Sequence, residues 1–239
     1  NSIQFALQGS VVVAVDISKE RVEISRHNAQ VYGVSEYINF INSDVLELPA
    51  SVKGDAVFIS PPWGGTAYGD KEYYSLFREI NPNMKKVVEK AMAISSKLCG
   101  NLPRNTIISE LVVLFSIIVE EQRQRGLNIE NKEVYFNPVL EIEKIYIGES
   151  LKCIQIYFGD FPEVGCVNKS LKGSFYSMVS STILQKMLTS KMLRLKFYEH
   201  KSKEFWSSSS WKTSPISSLI FITKTQPQLL TSIFQQMTS

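Results

Sequence analysis

Cysteine is scarce in this chain, with three residues in 239, at positions 99, 153 and 166. An odd and sparse set excludes a disulfide-stapled scaffold, and no pair has Cys-x-x-Cys spacing, so a reducing compartment is expected. Histidine is scarcer, with only His27 and His200. Neither completes a Ser-His or Cys-His pair, and no metal-ligand set is expected. No apolar run approaches the ~20 residues that span a bilayer, so no membrane partner is expected. The chain also lacks an initial methionine and a glycine-rich turn near its start. It opens on Asn1, passes through a helical stretch over 2–7 and enters its first strand through Gly9. A nucleotide-binding sheet ordinarily begins with a strand and a glycine-rich turn before such a helix. The expectation is a fragment that begins inside its first crossover unit, with any targeting peptide unreadable.

Acidic residues are nearly missing from one end. Residues 1–165 hold 16 Lys+Arg against 21 Asp+Glu, a balance of −5; residues 166–239 hold 10 against 2, a balance of +8. The overall +3 therefore averages two unlike stretches. The second contains 16 serines, including the run at 207–210, which favours disorder or poor packing. It keeps Phe205, Trp206 and Trp211, and apolar residues from Ile183 to Leu195 at helical spacing allow one amphipathic helix. A basic, aromatic tail can hold RNA phosphates and stack bases. The boundaries read from composition are thus 1–165 for a folded domain and 166–239 for a tail.

What is present in the first part is an α/β pattern. Residues 11–15 are a short β-branched run ending at Asp16, the signature of a buried parallel strand. Val22, Ile24, Ala29 and Val31 follow among charged residues up to Gly33, which reads as an amphipathic helix. Strands are expected at 37–41 and 55–59, helices at 84–98 and 107–122, and paired strands at 133–147 and 151–159. Strands alternating with helices imply a sheet with crossover connections, in which ligands sit beyond the carboxyl ends of the strands. Asp16, Asp44 and Ser60 all fall at such ends.

The most informative segment is Ser60-Pro61-Pro62-Trp63, followed by Gly64 and Gly65. A polar residue, two prolines and an aromatic at a strand end suit methylation of an exocyclic amine. The amine's lone pair is delocalised into its ring, so a side-chain oxygen and a backbone carbonyl must orient the nitrogen. Proline adds rigidity and has no competing N–H. The aromatic supplies a stacking face. A plain proline turn is the alternative. Asp16 suits both ribose hydroxyls of a nucleoside or, equally, the cap of the next helix. Asp44 suits an adenine amine or a turn.

At these residues the chain resembles the trimethylguanosine synthase family, class I methyltransferases acting on the 7-methylguanosine caps of small nuclear and nucleolar RNAs. The matching segments are 1–7, 13–17, 26–33, 55–65, 102–105 and 156–160, and Ser-Pro-Pro-Trp-Gly-Gly is specific to that family. The resemblance implies a Rossmann-like, S-adenosylmethionine-dependent fold and transfer of methyl groups to guanine N2. It implies that Trp63 stacks on methylated guanine, that Ser60 and Pro61 orient N2, that Asn28 lies near the guanine and that Arg104 meets the cap phosphates. Asp16 with Ile17, and Asp44 with Val45, match the residues on the donor's ribose and adenine. Asn1 is the last residue of the family's Asp-Pro-Phe-Cys-Gly-x-Gly-Gly segment, whose central strand and donor loop lie upstream. The resemblance further implies a nuclear monomer acting on capped RNA. Two other readings stay open: a cap- or RNA-binding module without catalysis, and a methyltransferase for a different exocyclic amine.

Overall fold

The computed structural model describes residues 1–127, 139–159, 194–202 and 218–223, which form two compact units. The units follow contacts rather than chain order. The first comprises Asn1–Pro61, Lys86–Cys99 and Ile216–Ser239; the second comprises Pro62–Lys85 and Gly100–Pro215.

The first unit is built on strand β1 (Val11–Asp16), in which Val12 to Asp16 are all buried. A strand buried on both faces must be apolar at every position rather than at alternate ones, which is why this run is continuous. Helix α1 (Ser2–Leu7) precedes it, and helix α2 (Lys19–Val31) leads to strand β2 (Ile38–Asn42), parallel to β1 with Ala14 opposite Phe40. Strand β3 (Ala56–Ser60) completes the parallel set. The core of the unit joins Ala6, Val12, Ala14, Val22, Ala29, Ile38, Phe40 and Phe58, with Phe5 meeting Phe58 edge-on at 5.6 Å. Ser18 caps α2, accepting from the Arg21 N–H at 3.3 Å. Helix α3 (Met84–Ile94) runs on into this unit, where the Ile94 carbonyl accepts from Gly54 and the Ala93 carbonyl from Lys53 Nζ.

Three expectations are corrected. On α2 only Val22 and Ala29 are buried, while Ile24 and Val31 are exposed. Two residues advance a helix by about 200°, so the pair 24 and 31 faces away from the pair 22 and 29. The helix expected to 98 stops at Ile94, and a strand, β4 (Leu98–Pro103), follows. Leu98, Gly100 and Leu102 point inward in alternation, a period that the low strand propensities of glycine and asparagine obscure. Arg194 and Leu195, placed in a possible helix, belong to a strand. The rest of that possible helix, 183–193, lies outside the described residues, as do 133–138 of an expected strand.

The basic tail contributes two strands. After helix α4 (Ile108–Leu127), β5 (Val139–Ile147) and β6 (Ser150–Phe158) form an antiparallel pair in the second unit, and β7 (Arg194–Ser202) lies parallel to β5. Leu111, Val112, Leu114, Phe115, Ile118 and Val119 of α4 are buried, and Phe115 packs on Phe158 with ring centres 4.6 Å apart. The second tail strand, β8 (Ser218–Thr223), sits in the first unit between β1 and β3 and antiparallel to both. It is an inner strand, hydrogen-bonded along both sides.

Candidate active site

In the first unit, strand register brings the acids and Ser60 to one rim. Asp16 lies opposite Asn42 on β2, and both Asp16 and Ser60 lie opposite Ser218 on β8. Strands are about 4.8 Å apart, so Asp16 and Ser60 stand roughly 10 Å apart across β8. Asn42 locks the β1–β2 corner: its Nδ2 donates to the carbonyls of Asp16 at 3.0 Å and Ile17 at 2.9 Å. The Ser43 N–H also donates to the Asp16 carbonyl, which carries the chain round to Asp44.

Both acids already have partners. Asp16, 7 % exposed, accepts from the Ser18 N–H at 2.8 Å and pairs with Arg21, whose Nε and Nη2 reach its carboxylate at 2.8–3.1 Å. Asp44 Oδ1 accepts from the Leu46 N–H at 2.9 Å and caps the short turn Val45–Glu47. Ile17, beside Asp16, is 60 % exposed, while Val45 is half-buried.

These residues fit the adenosine end of S-adenosylmethionine. An ionised carboxylate has about four acceptor positions, so Asp16 keeps capacity for a ribose hydroxyl on Oδ2 beside the Arg21 contact. Ile17 offers exposed apolar surface next to it, suited to a base. Arg21 is one-third exposed at its side chain. The other residues implied for this unit are more dispersed. Asn1 occupies the N-cap position of α1 and makes no side-chain cap bond; Asn28 is exposed on α2; Pro61 is buried directly after Ser60.

The second unit begins at Pro62 and carries the aromatic half. Trp63 is followed by Gly64 and Gly65, with φ of +85° and +72°. Side chains other than glycine rarely adopt that region, and two such residues in succession turn the chain sharply into the short helical turn Gly65–Asp70. The turn returns Tyr68 to Trp63, ring centres 5.2 Å apart and planes at 79°, the edge-to-face geometry that aromatic quadrupoles prefer. Trp63 Nε1 is buried without a partner.

Two supports hold this turn. The residues after β4 grip it directly: Arg104 Nη2 donates to the Gly69 carbonyl at 3.3 Å, and Asn105 Nδ2 donates to the carbonyls of Tyr68 at 2.9 Å and Lys71 at 2.7 Å. On the other side Tyr74, 1 % exposed, directs its hydroxyl to the Pro62 carbonyl at 3.4 Å. Burial, with the Glu79 charge second, pushes the Tyr74 phenol up to about 12, so it stays a donor at any physiological pH. Tyr74 is fixed in turn by backbone bonds to Asn105 and Ile107, and Glu110 at the start of α4 accepts from Ser75 Oγ at 2.9 Å and Leu76 N–H at 2.7 Å.

Of the residues singled out in the sequence, the second unit brings Trp63 and Arg104 together through this turn. Tyr68, Tyr74, Asn105 and Glu110 were not singled out. Asn105 stands in the Pro-Arg-Asn run and Glu110 is a first-turn helix acid; those were the available signals. Nothing local marks Tyr74. No cluster of potential metal ligands occurs among the described residues, and no helix among them is long and apolar enough to cross a membrane.

Comparison with known proteins matches residues 1–160 to the family described as RNA cap guanine-N2 methyltransferase. Trimethylguanosine synthase of Schizosaccharomyces pombe is 38 % identical over 124 residues, covering 49 % of this chain and 51 % of the relative. The same-named protein of Saccharomyces cerevisiae is 34 % identical over 117 residues, 46 % of this chain and 37 % of the relative. A tRNA (guanine(10)-N2)-dimethyltransferase of Methanothermobacter thermautotrophicus is 38 % identical over 80 residues, covering 33 % of this chain and 23 % of the relative. The chain thus spans about half or less of the length of the curated relatives it matches.

Proposed function

The chain belongs to the RNA cap guanine-N2 methyltransferase family, and from that premise we propose that it methylates the exocyclic N2 of 7-methylguanosine caps twice, giving 2,2,7-trimethylguanosine. The observation that carries this reading is the Trp63 turn: an indole held edge-to-face with Tyr68, in a turn gripped by Arg104, immediately after Ser60 and Pro61. The substrates are the capped small nuclear and nucleolar RNAs, the working form is a monomer and the compartment is the nucleus.

When bound, S-adenosylmethionine supplies an already activated sulfonium methyl group. The chain's own task is therefore alignment rather than acid–base chemistry. Asp16 and Ile17 hold the ribose and base of the donor, and Asp44 with Val45 holds the adenine edge. Trp63 stacks on the guanine, and N7 methylation places positive charge over the indole face, adding cation–π attraction to stacking. Ser60 Oγ and the Pro61 carbonyl accept from the N2 amine and set its direction, while Asn28 approaches the guanine. Arg104 is exposed and adjacent to the turn, where its guanidinium suits a cap phosphate. The proton leaves N2 for water or a nearby oxygen after the methyl group has arrived; no side chain is assigned as base.

Methyl transfer from labelled S-adenosylmethionine to 7-methylguanosine and guanosine triphosphates tests the reading. Transfer confined to the 7-methylated nucleotide is expected, and equal transfer to both would overturn it. The Arg21 ion pair on Asp16 favours a second reading, a cap-binding module that does not take up donor. Titration with S-adenosylmethionine separates the two, since micromolar binding contradicts the second.

A further inference from the structure

We propose that Asn105 is a positioning residue for cap recognition, acting through Tyr68 on Trp63; this rests on the cap-binding reading above. Both partners of the Asn105 side chain are backbone carbonyls, Tyr68 at 2.9 Å and Lys71 at 2.7 Å. A carbonyl only accepts, so the NH₂ group must face them and the assignment of nitrogen and oxygen is fixed. One amide thereby ties the end of the turn to the residue that leaves it, three positions on. Its Oδ1 necessarily points away and is buried without a partner. A buried acceptor left unpaired is costly, so this arrangement persists because the two donated bonds and the surrounding packing over-determine it.

The clamp also has a rigid base. The Asn105 carbonyl accepts from the Tyr74 N–H at 2.8 Å, and Tyr74 pairs with Thr106 in an isolated parallel bridge. Asn105 follows β4 with one residue between, so its Cα is set by strand and bridge rather than by a free loop. The turn it holds has the opposite character. It starts with two left-handed glycines, neither of which has any neighbour within 4 Å of a would-be Cβ. Asn105 helps to set the position of Tyr68, whose carbonyl also accepts from the Lys71 N–H, and Tyr68 bears on the indole at 5.2 Å. Asn105 holds the Tyr68 carbonyl, and its effect on the indole passes through that neighbour.

A double-mutant cycle tests this, using Asn105→Ala, Tyr68→Leu and both together, read as affinity for 7-methylguanosine triphosphate. Tyr68→Leu should weaken binding about threefold, the loss of one aromatic pair, and Asn105→Ala by up to about threefold, since its effect is bounded by that of the ring it positions. The double variant should be no weaker than Tyr68→Leu alone, because once the ring is gone Asn105 has nothing left to position. Additive losses would overturn the proposal. Asn105→Asp is the single-atom counterpart: it keeps shape but removes both donors and should match Asn105→Ala, so wild-type affinity in it would also overturn the proposal. Hydrogen exchange needs no ligand: Asn105→Ala should speed exchange within residues 63–71 and leave β1 and β2 unchanged, and unaltered exchange there would overturn the clamp. A wild-type protein that does not bind the cap nucleotide would instead count against the functional reading, with the exchange result still deciding the clamp.

Discussion

The two units treat their polar groups in opposite ways. In the first, the acids that would receive a donor molecule are already engaged: Asp16 with Arg21 and the Ser18 N–H, Asp44 with the Leu46 N–H. In the second, the aromatic turn is held from outside by Asn105, Arg104 and Tyr74, and an indole N–H is left unpaired. On the proposed reading a donor would share Asp16 with Arg21 in the first unit, whereas the second holds its aromatic turn in place beforehand. Preorganisation lowers the ordering cost of binding, so the cap half should bind unaided and the donor half should compete with Arg21 for Asp16.

The largest test of that contrast is Trp63→Ala. Cap-nucleotide affinity should fall about 100-fold, the combined value of stacking and cation–π attraction, while donor affinity holds. Titration calorimetry with each ligand reads both. Asp16→Ala should do the reverse, weakening S-adenosylmethionine about 30-fold, as charge-assisted hydrogen bonds warrant, and sparing the cap. A variant that damaged both ligands alike would break the comparison.

Arg21→Ala sharpens it through sign. The ion pair is partly exposed and contributes about 1 kcal/mol or less to stability. Its removal should lower the melting temperature slightly and tighten donor binding about threefold, because Asp16 is no longer shared with Arg21. Looser donor binding would mean that Arg21 assists the ligand.

Thiol labelling should change least. Burial pushes Cys99 up to about 12, and burial followed by the Glu143 charge pushes Cys153 up to about 11. Both thiols are therefore protonated in the fold at pH 8 and should label slowly until denaturant is added, as peptide mass spectrometry can follow. The sign is that of raised groups: their contribution to stability is complete below the unfolded thiol pKa of about 8.5 and is lost as pH rises through the folded values. Fast labelling of Cys99 in the folded protein would show that the first unit opens readily.

Much of the first unit was legible because its signals are local. The run at 11–15 ends at Asp16 and the run at 55–59 ends beside Ser60, and register then aligns those ends without further information. The failures share a cause. Ile24 and Val31 were counted with Val22 and Ala29 as one apolar face, although a 200° turn separates them. β4 alternates correctly yet carries Gly100 and Asn101, and propensity outweighed period. The support of Trp63 was invisible for a different reason: Asn105 and Tyr74 act over separations of 34 to 37 and 12 residues, through backbone carbonyls that any residue possesses. A sequence shows which side chain donates but not which carbonyl receives. The place of β8 between β1 and β3 is equally non-local, since a short apolar run in a serine-rich tail carries no mark of the strands it joins.

The most direct test of the central claim is the equilibrium affinity of the wild-type protein for 7-methylguanosine triphosphate against GTP, without donor. If the second unit holds Trp63 ready for a cationic purine, the methylated nucleotide should bind about 10- to 100-fold tighter, since the two differ chiefly in ring charge. Equal affinities would contradict the account.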